Sequence, residues 1–377
     1  MRLVPIHCIK EGNSLAKSVF DANGRVLLKE GVVLSSKILE RVENNGFQSL
    51  YIIDEYSQGE IEDVIKPQLR QKAVQALKSS FDSFKSYYFQ TNPASLPLKN
   101  RIELKAKNKY MSNMNQIAKE LVDELLANKN LLVNLVDIKN LDSYTYQHSV
   151  NVAVLSLIMG IEQGLERQQL HELAIGALVH DIGKVFIEPT LLSKKEPLRD
   201  AEFDCIKEHA FKGYEYLKDL RDMKGSSKRI IWEHHERLDA SGYPRSLTIN
   251  TLHLFSRIVA IADVYDALTS DRPYRKSLPA NEAIEYFMGS TGRYFDTEIA
   301  TTFIKKIVVY PVGTLIRLSN GNIGTVVSNH PQLSLRPKVK LINMSQTETI
   351  MDLSQENDVV IEAIQYEIPT SLMQKRE

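Results

Sequence analysis

Leu178-Val179-His180-Asp181-Ile182-Gly183-Lys184 is the stretch on which the reading of this chain turns. The apolar residues before His180 predict a buried helix, and Gly183 predicts its end. Adjacent His and Asp at a buried helix end need a reason, because an unpaired carboxylate in apolar surroundings is strongly disfavoured. A metal ion supplies one, and a carboxylate can bridge two ions where a single imidazole nitrogen cannot.

Outward from that stretch the sequence is helix after helix between about residues 101 and 309. Apolar spacing predicts helices over 114–126, 145–159, 167–179, 200–217, 254–269 and 281–287. Six of the nine histidines fall between 148 and 235. His148 sits on an apolar-faced helix, and Asp263 closes the apolar run 258–262. His234-His235-Glu236 forms a second dense cluster before the turn Leu238-Asp239-Ala240-Ser241-Gly242-Tyr243-Pro244. Neighbours on a regular helix point about 100° apart, so both rings reach one centre most easily near a helix end. His171 has no acidic or histidine neighbour at ligand spacing and reads as a surface residue. Histidine and aspartate without cysteine give mixed N/O ligation, suited to iron, manganese or zinc rather than calcium.

The flanks differ. Residues 1–56 read as short strands, with a hairpin at Asn23-Gly24, a strand at 51–53 and a serine-capped helix over 35–45. A long helical pattern runs over about 60–90, and Pro93 and Pro97 mark 91–100 as a linker. From 311 to 366 alternation returns around Asn320-Gly321 and predicts a small β-domain with a polar tail. The fold class is therefore mainly α: an all-helical core with small β-rich N- and C-terminal domains. The boundaries are 1–56, 57–118 (connector and linker), 119–309 (helical domain) and 310–377.

Composition excludes several classes. The 377 residues carry 47 basic and 47 acidic side chains, so nothing global favours a nucleic-acid polymer or an anionic membrane. Two cysteines build neither a disulfide framework nor a CxxC metal site. The longest apolar stretch, 150–160, falls short of the roughly 20 residues that membrane insertion needs. The chain reads as cytoplasmic, with no secretory signal.

The combination resembles the HD phosphohydrolase superfamily. His180-Asp181, with His148, His209, His234-His235 and Asp263, carries that likeness. Gly242-Tyr243-Pro244 after the histidine pair narrows it to the HD-GYP family. Ala262-Asp263-Val264-Tyr265-Asp266, Arg272-Pro273-Tyr274-Arg275 and Gly292-Arg293-Tyr294-Phe295-Asp296 follow in order. The resemblance covers about residues 120–308. It implies a metal-dependent phosphodiesterase opening cyclic di-GMP to pGpG or GMP through a metal-bridging hydroxide. It implies iron or manganese, with His148, His180, Asp181 and Asp263 holding one ion. Asp181, as the bridge, would share the second with His209, His234 and His235. Members with a third metal carry glutamate four residues before the first histidine; here that position is Tyr144, which predicts two divalent ions. The family often has glycine where this chain has Ala240, a change that matters only at positive φ.

Asp181 and Lys184 are the expected catalytic residues. Lys184, Arg272, Arg275 and Tyr243 are the expected substrate contacts, and Asp266 is expected to orient a histidine. The competing readings are a catalytically weak cyclic di-GMP receptor and a phosphodiesterase for another cyclic dinucleotide, such as cyclic GMP-AMP. Homodimerisation or docking of a regulatory protein is the role left to the 60–90 helix.

Overall fold

The computed structural model describes residues 1–21, 25–57, 63–90, 96–128, 133, 144–194, 196–270, 277–342 and 349–367. Of 83–90, 96–104 and 144 only the backbone is described. The chain divides into two compact units.

One unit gathers Met1–Val64, Leu132–Asp142 and Ile304–Glu377. Its N-terminal part holds β1 (Arg2–Pro5), β2 (Ser14–Leu15), β3 (Val19–Phe20), β4 (Val26–Leu28), α1 (Ser36–Asn44) and β5 (Ser49–Ile53). β5 lies between β1 and β2 in an antiparallel sheet, Arg2 opposite Ile52, and β3 pairs with β4 as the hairpin pattern predicts. The hairpin's Asn23-Gly24 turn lies outside the described residues. Ser35 precedes α1 without a side-chain capping hydrogen bond, unlike the sequence expectation, and Gly46 follows it at φ 84°. The C-terminal part is one antiparallel sheet of β6 (Leu315–Leu318), β7 (Ile323–Ser328), β8 (Lys338–Leu341), β9 (Thr349–Asp352) and β10 (Ile361–Ile364), ordered β10-β6-β7-β8-β9. Gly321 at φ 82° supports the β6–β7 turn.

The sequence boundaries treated these two ends as separate domains, and the structure groups them. The Arg2 guanidinium, 6% exposed, pairs with Asp54 at 2.7 Å and donates to the Tyr366 carbonyl at 3.0 Å. A buried charge needs both partners, and they come from opposite ends of the chain.

The other unit, Ile65–Leu131 and Ser143–Phe303, is helical. It holds α2 (Pro67–Gln90), α3 (Leu96–Ala127), α4 (Tyr144–Glu162), α5 (Arg167–Val179), α6 (Pro189–Leu192), α7 (Asp200–Leu217), α8 (Gly225–Glu233), α9 (Leu254–Thr269), α10 (Ala280–Ser290) and α11, which begins at Thr297. α2 starts at Pro67 rather than near 60, because proline fits a first helical position where no donor is needed. Residues 96–100, expected in a linker, open α3, with Pro97 in its first turn. The connector expected over 57–118 thus belongs mostly to this helical unit. Residues 150–160 are buried throughout, so α4 is a central helix, buried on all sides and packed on α5 and α9. Tyr265, Phe287, Phe295 and Phe303 close one side of this core. No described helix is long and apolar enough to cross a membrane.

Candidate metal centre

α5 ends at Val179, four residues before Gly183, where the sequence put its end, and His180 stands at its C-terminus. Asp181 follows, then a short 3-10 turn over Ile182–Phe186. Gly183 is needed here for proximity rather than for its φ. A Cβ at that position would lie 1.9 Å from the His209 carbonyl oxygen and 2.7 Å from the Gly213 amide nitrogen, so α7 rests main chain against main chain. This contact delivers His209 to the His-Asp pair.

α8 stops at Glu233, leaving His234 and His235 in the turn beyond it. Ending the helix lets neighbouring rings converge. His148 comes from α4 and Asp263 from α9. The ligand atoms of Asp181, His209, His234 and His235 all lie within 4.8 Å of one another, and so do those of His148, His180 and Asp263. All seven residues read from the sequence therefore meet in one place.

Four of the five imidazoles are oriented through Nδ1. His180 donates it to the Ala177 carbonyl at 2.7 Å and His209 to that of Ile206 at 2.6 Å. His234 donates to the Ile231 carbonyl at 3.0 Å, and His148 to Asp266 at 2.8 Å. In its neutral form each of these rings presents an unprotonated Nε2 to the cluster, the form a metal requires. His209 Nε2 and His234 Nε2 stand 3.3 Å apart, and Asp181 Oδ1 is 3.3 Å from the former. Lone pairs facing one another call for a cation between them. His180 Nε2 and Asp181 Oδ1 are buried with no hydrogen-bond partner, which is costly without an ion. The residues fit divalent metal ions.

Asp181 has the placement of a bridge. Its Oδ1 faces His209 and, at 3.9 Å, His234; its Oδ2 faces His180 at 3.3 Å and His148 at 3.7 Å. Burial alone would raise its carboxyl, but Lys184, then His180 and His209, hold it well below the ordinary carboxylate value. Lys184 Nζ reaches the same Oδ2 at 2.5 Å while its side chain stays partly exposed. Burial, then the charges of His180 and His209, push His234 down to about 3, so it stays neutral. Burial opposes protonation of His148 too, but Asp263 and Asp266 outweigh it and bring it up to about 9.

Asp266 stands where the sequence expectation put it, against His148. It is fully buried and also accepts from Asn151 Nδ2 at 2.9 Å. Asn151 was missed, although its place three residues after His148 on α4 was a signal. Glu236 was read only as part of a dense cluster. Its carboxylate turns away from the metal ligands and accepts the amides of Arg245 at 2.7 Å and Leu247 at 2.9 Å. Glu233, also fully buried, accepts from Ser256 Oγ at 2.9 Å and Arg229 Nε at 2.9 Å. Both carboxylates are structural anchors of the loop behind the histidine pair.

Tyr243 stacks on His235, ring centroids 4.6 Å apart and planes at 27°, and its peptide bond to Pro244 is cis. Gly242 is again required by closeness, since a Cβ would lie 2.4 Å from the Glu236 Cα. Ala240 has φ 63°, the positive value at which the replacement of glycine by alanine was expected to matter, at a cost of about 1–2 kcal/mol. His171 bonds the Asn115 carbonyl at 3.3 Å and takes no part in the cluster. Arg272 and Arg275 lie outside the described residues, and so does the side chain of Tyr144.

A helical core gathers histidine and aspartate donors around Asp181 into a cluster that could hold divalent metal ions. The chain belongs to the HD domain family, whose model matches residues 106–299, and the resemblance to its HD-GYP branch is borne out. A second model, the KOW domain associated with HD domain, matches 315–367, the five-stranded sheet. A cyclic di-GMP phosphodiesterase of Pseudomonas aeruginosa is 38% identical over 228 residues, covering 59% of this chain and 55% of that protein. A 3′3′-cGAMP-specific phosphodiesterase of Vibrio cholerae is 41% identical over 165 residues, covering 43% of this chain and 37% of its own length. The chain thus spans about half the length of the first of these relatives and less of the second. A solved HDG"Y"P protein from Bdellovibrio bacteriovorus matches with TM-score 0.50 at 16% identity, over 80% of this chain and 97% of that one, a likeness of fold.

Proposed function

We propose that this chain is a metal-dependent phosphodiesterase that opens cyclic di-GMP. The observation that carries the reading is Asp181, whose two carboxylate oxygens face different histidine groups within one buried cluster. His148, His180, Asp181 and Asp263 would hold one divalent ion, and Asp181, His209, His234 and His235 another, with iron or manganese suiting these donors. Such ions supply charge neutralisation of the phosphodiester and acidify a water for in-line attack.

The remaining work falls to side chains. The Nδ1 hydrogen bonds of His148, His180, His209 and His234 fix each ring's direction and tautomer, so nothing reorganises during reaction. Lys184, held on Asp181, would stand beside a phosphate bound at the cluster, with an ammonium that could donate to the leaving ribose 3′ oxygen. Tyr243 covers the partly exposed face of His235 and limits water at the rim. Arg272 and Arg275 remain proposed phosphate or guanine contacts by their chemistry alone.

The relative named for 3′3′-cGAMP supports cyclic GMP-AMP as the second substrate to be compared. The test loads the full chain anaerobically with Fe²⁺ or Mn²⁺ and separates products from cyclic di-GMP and cyclic GMP-AMP by chromatography. Conversion by the wild type and loss in Asp181→Ala are expected, with two metals per chain by elemental analysis. A metal-loaded wild type that binds cyclic di-GMP without turning it over would establish the receptor reading instead.

A further inference from the structure

α7 carries His209 inward and, a turn and a half earlier, an exposed phenylalanine. Phe203 is 44% exposed, and its ring meets Tyr243 edge-on at 6.4 Å and 81°. Tyr243 in turn lies on the metal-cluster ring of His235. A file of aromatic rings therefore leads from the metal centre onto the outer face of α7. Lys207 stands over it, Nζ 4.7 Å from the Phe203 centroid and 5.8 Å from that of Tyr243. The Lys207 ion pair is with Asp204 at 2.8 Å, and Asp204 is 69% exposed, a pair that a ligand displaces at little cost.

A large apolar ring left open to water contributes nothing to the core, and here its edge is turned to a tyrosine fixed beside the reacting centre. A nucleotide whose phosphate sits at the metal cluster projects its base one ribose away, over this file. Base stacking on aromatic side chains is strong and every purine offers a π-face. Lysine adds a choice between purines. Guanine presents two acceptors, O6 and N7, on one edge, whereas adenine pairs its N7 acceptor with an amino donor.

We propose that Phe203 and Lys207 form a base subsite of this enzyme. Phe203, with Tyr243, takes the purine face, and Lys207 selects guanine by donating to O6 and N7. The proposal rests on the cyclic dinucleotide reading above.

The test uses the full Mn²⁺-loaded chain with cyclic di-GMP, cyclic di-AMP and bis(p-nitrophenyl) phosphate, a diester without a purine. Phe203→Ala is expected to raise KM for cyclic di-GMP about tenfold, with Phe203→Trp restoring it and the purine-free diester hydrolysed as by the wild type. Lys207→Met is expected to narrow the kcat/KM preference for cyclic di-GMP over cyclic di-AMP about tenfold. An unchanged KM in Phe203→Ala, or an equal loss on the purine-free diester, overturns the stacking role. An unchanged preference in Lys207→Met overturns the guanine selection. If the wild type cleaves the simple diester but no cyclic dinucleotide, the functional reading itself fails and takes the subsite with it.

Discussion

Gly183→Ala isolates the contact that positions His209. The added Cβ would lie 1.9 Å from the His209 carbonyl oxygen, against about 3.3 Å for the closest comfortable C···O approach. The 3-10 turn and α7 must separate by roughly 1.4 Å. The obstacle is backbone, which cannot swing aside as a flexible side-chain tip can. The cost therefore belongs at or above the upper end of overpacking, about 3 kcal/mol. For a unit of this size that lowers Tm by about 6–12 °C. The displacement also exceeds the roughly 0.2 Å that a metal–ligand distance tolerates, so metal retention should fall with stability. Gly289→Ala is the control, because that exposed helical glycine has nothing within 4 Å of an added Cβ. It should gain about 0.5–1 kcal/mol from helix propensity. Calorimetry with elemental analysis after dialysis reads both effects. A Gly183→Ala protein with unchanged Tm and unchanged metal content would refute the account of how α7 is placed.

Asp266→Asn keeps the shape of the side chain but removes the anionic acceptor from His148 Nδ1. Metal affinity or activity should fall about 10- to 100-fold with the circular dichroism spectrum preserved; competition against a chromogenic chelator measures it. Glu202, at the start of α7, accepts from Arg199 and Lys194 side chains and from the Arg199 amide, and is held down to about 2. Its contribution to stability is present above the unfolded value near 4.3 and is lost as pH falls through about 2. A carboxyl NMR titration of Glu202 with a midpoint near 4.3 would contradict it.

The ligand set was legible because its members sit in short ordered segments whose residue types serve one chemistry. Asp266 was legible too, one helical turn from Asp263. What escaped was long-range. That Arg2 would be neutralised by Asp54 and lie against Tyr366 depends on chain ends meeting, which no local pattern records. Glu236 drew no role of its own in the sequence, yet beyond α8 its carboxylate holds the Arg245 and Leu247 amides. The positive φ at Ala240 runs against alanine's own preference and had no local signal in the sequence. Ser35 shows the reverse failure, a residue type suited to capping whose side chain makes no cap.

The residues His234, His235 and Glu236 serve two structures at once. Two rings face the metal cluster, while the carboxylate grips the loop whose Tyr243 lies back over His235. An ion and a substrate bound as proposed would meet the same short run of backbone, and their equilibria would then be thermodynamically linked. An ion that orders the two rings also sets the rim that a dinucleotide must fit. By reciprocity, if a bound ion strengthens dinucleotide binding at that rim, a seated dinucleotide strengthens ion binding by the same factor in affinity. Metal scarcity would then act on this protein less while it is at work than while it is idle.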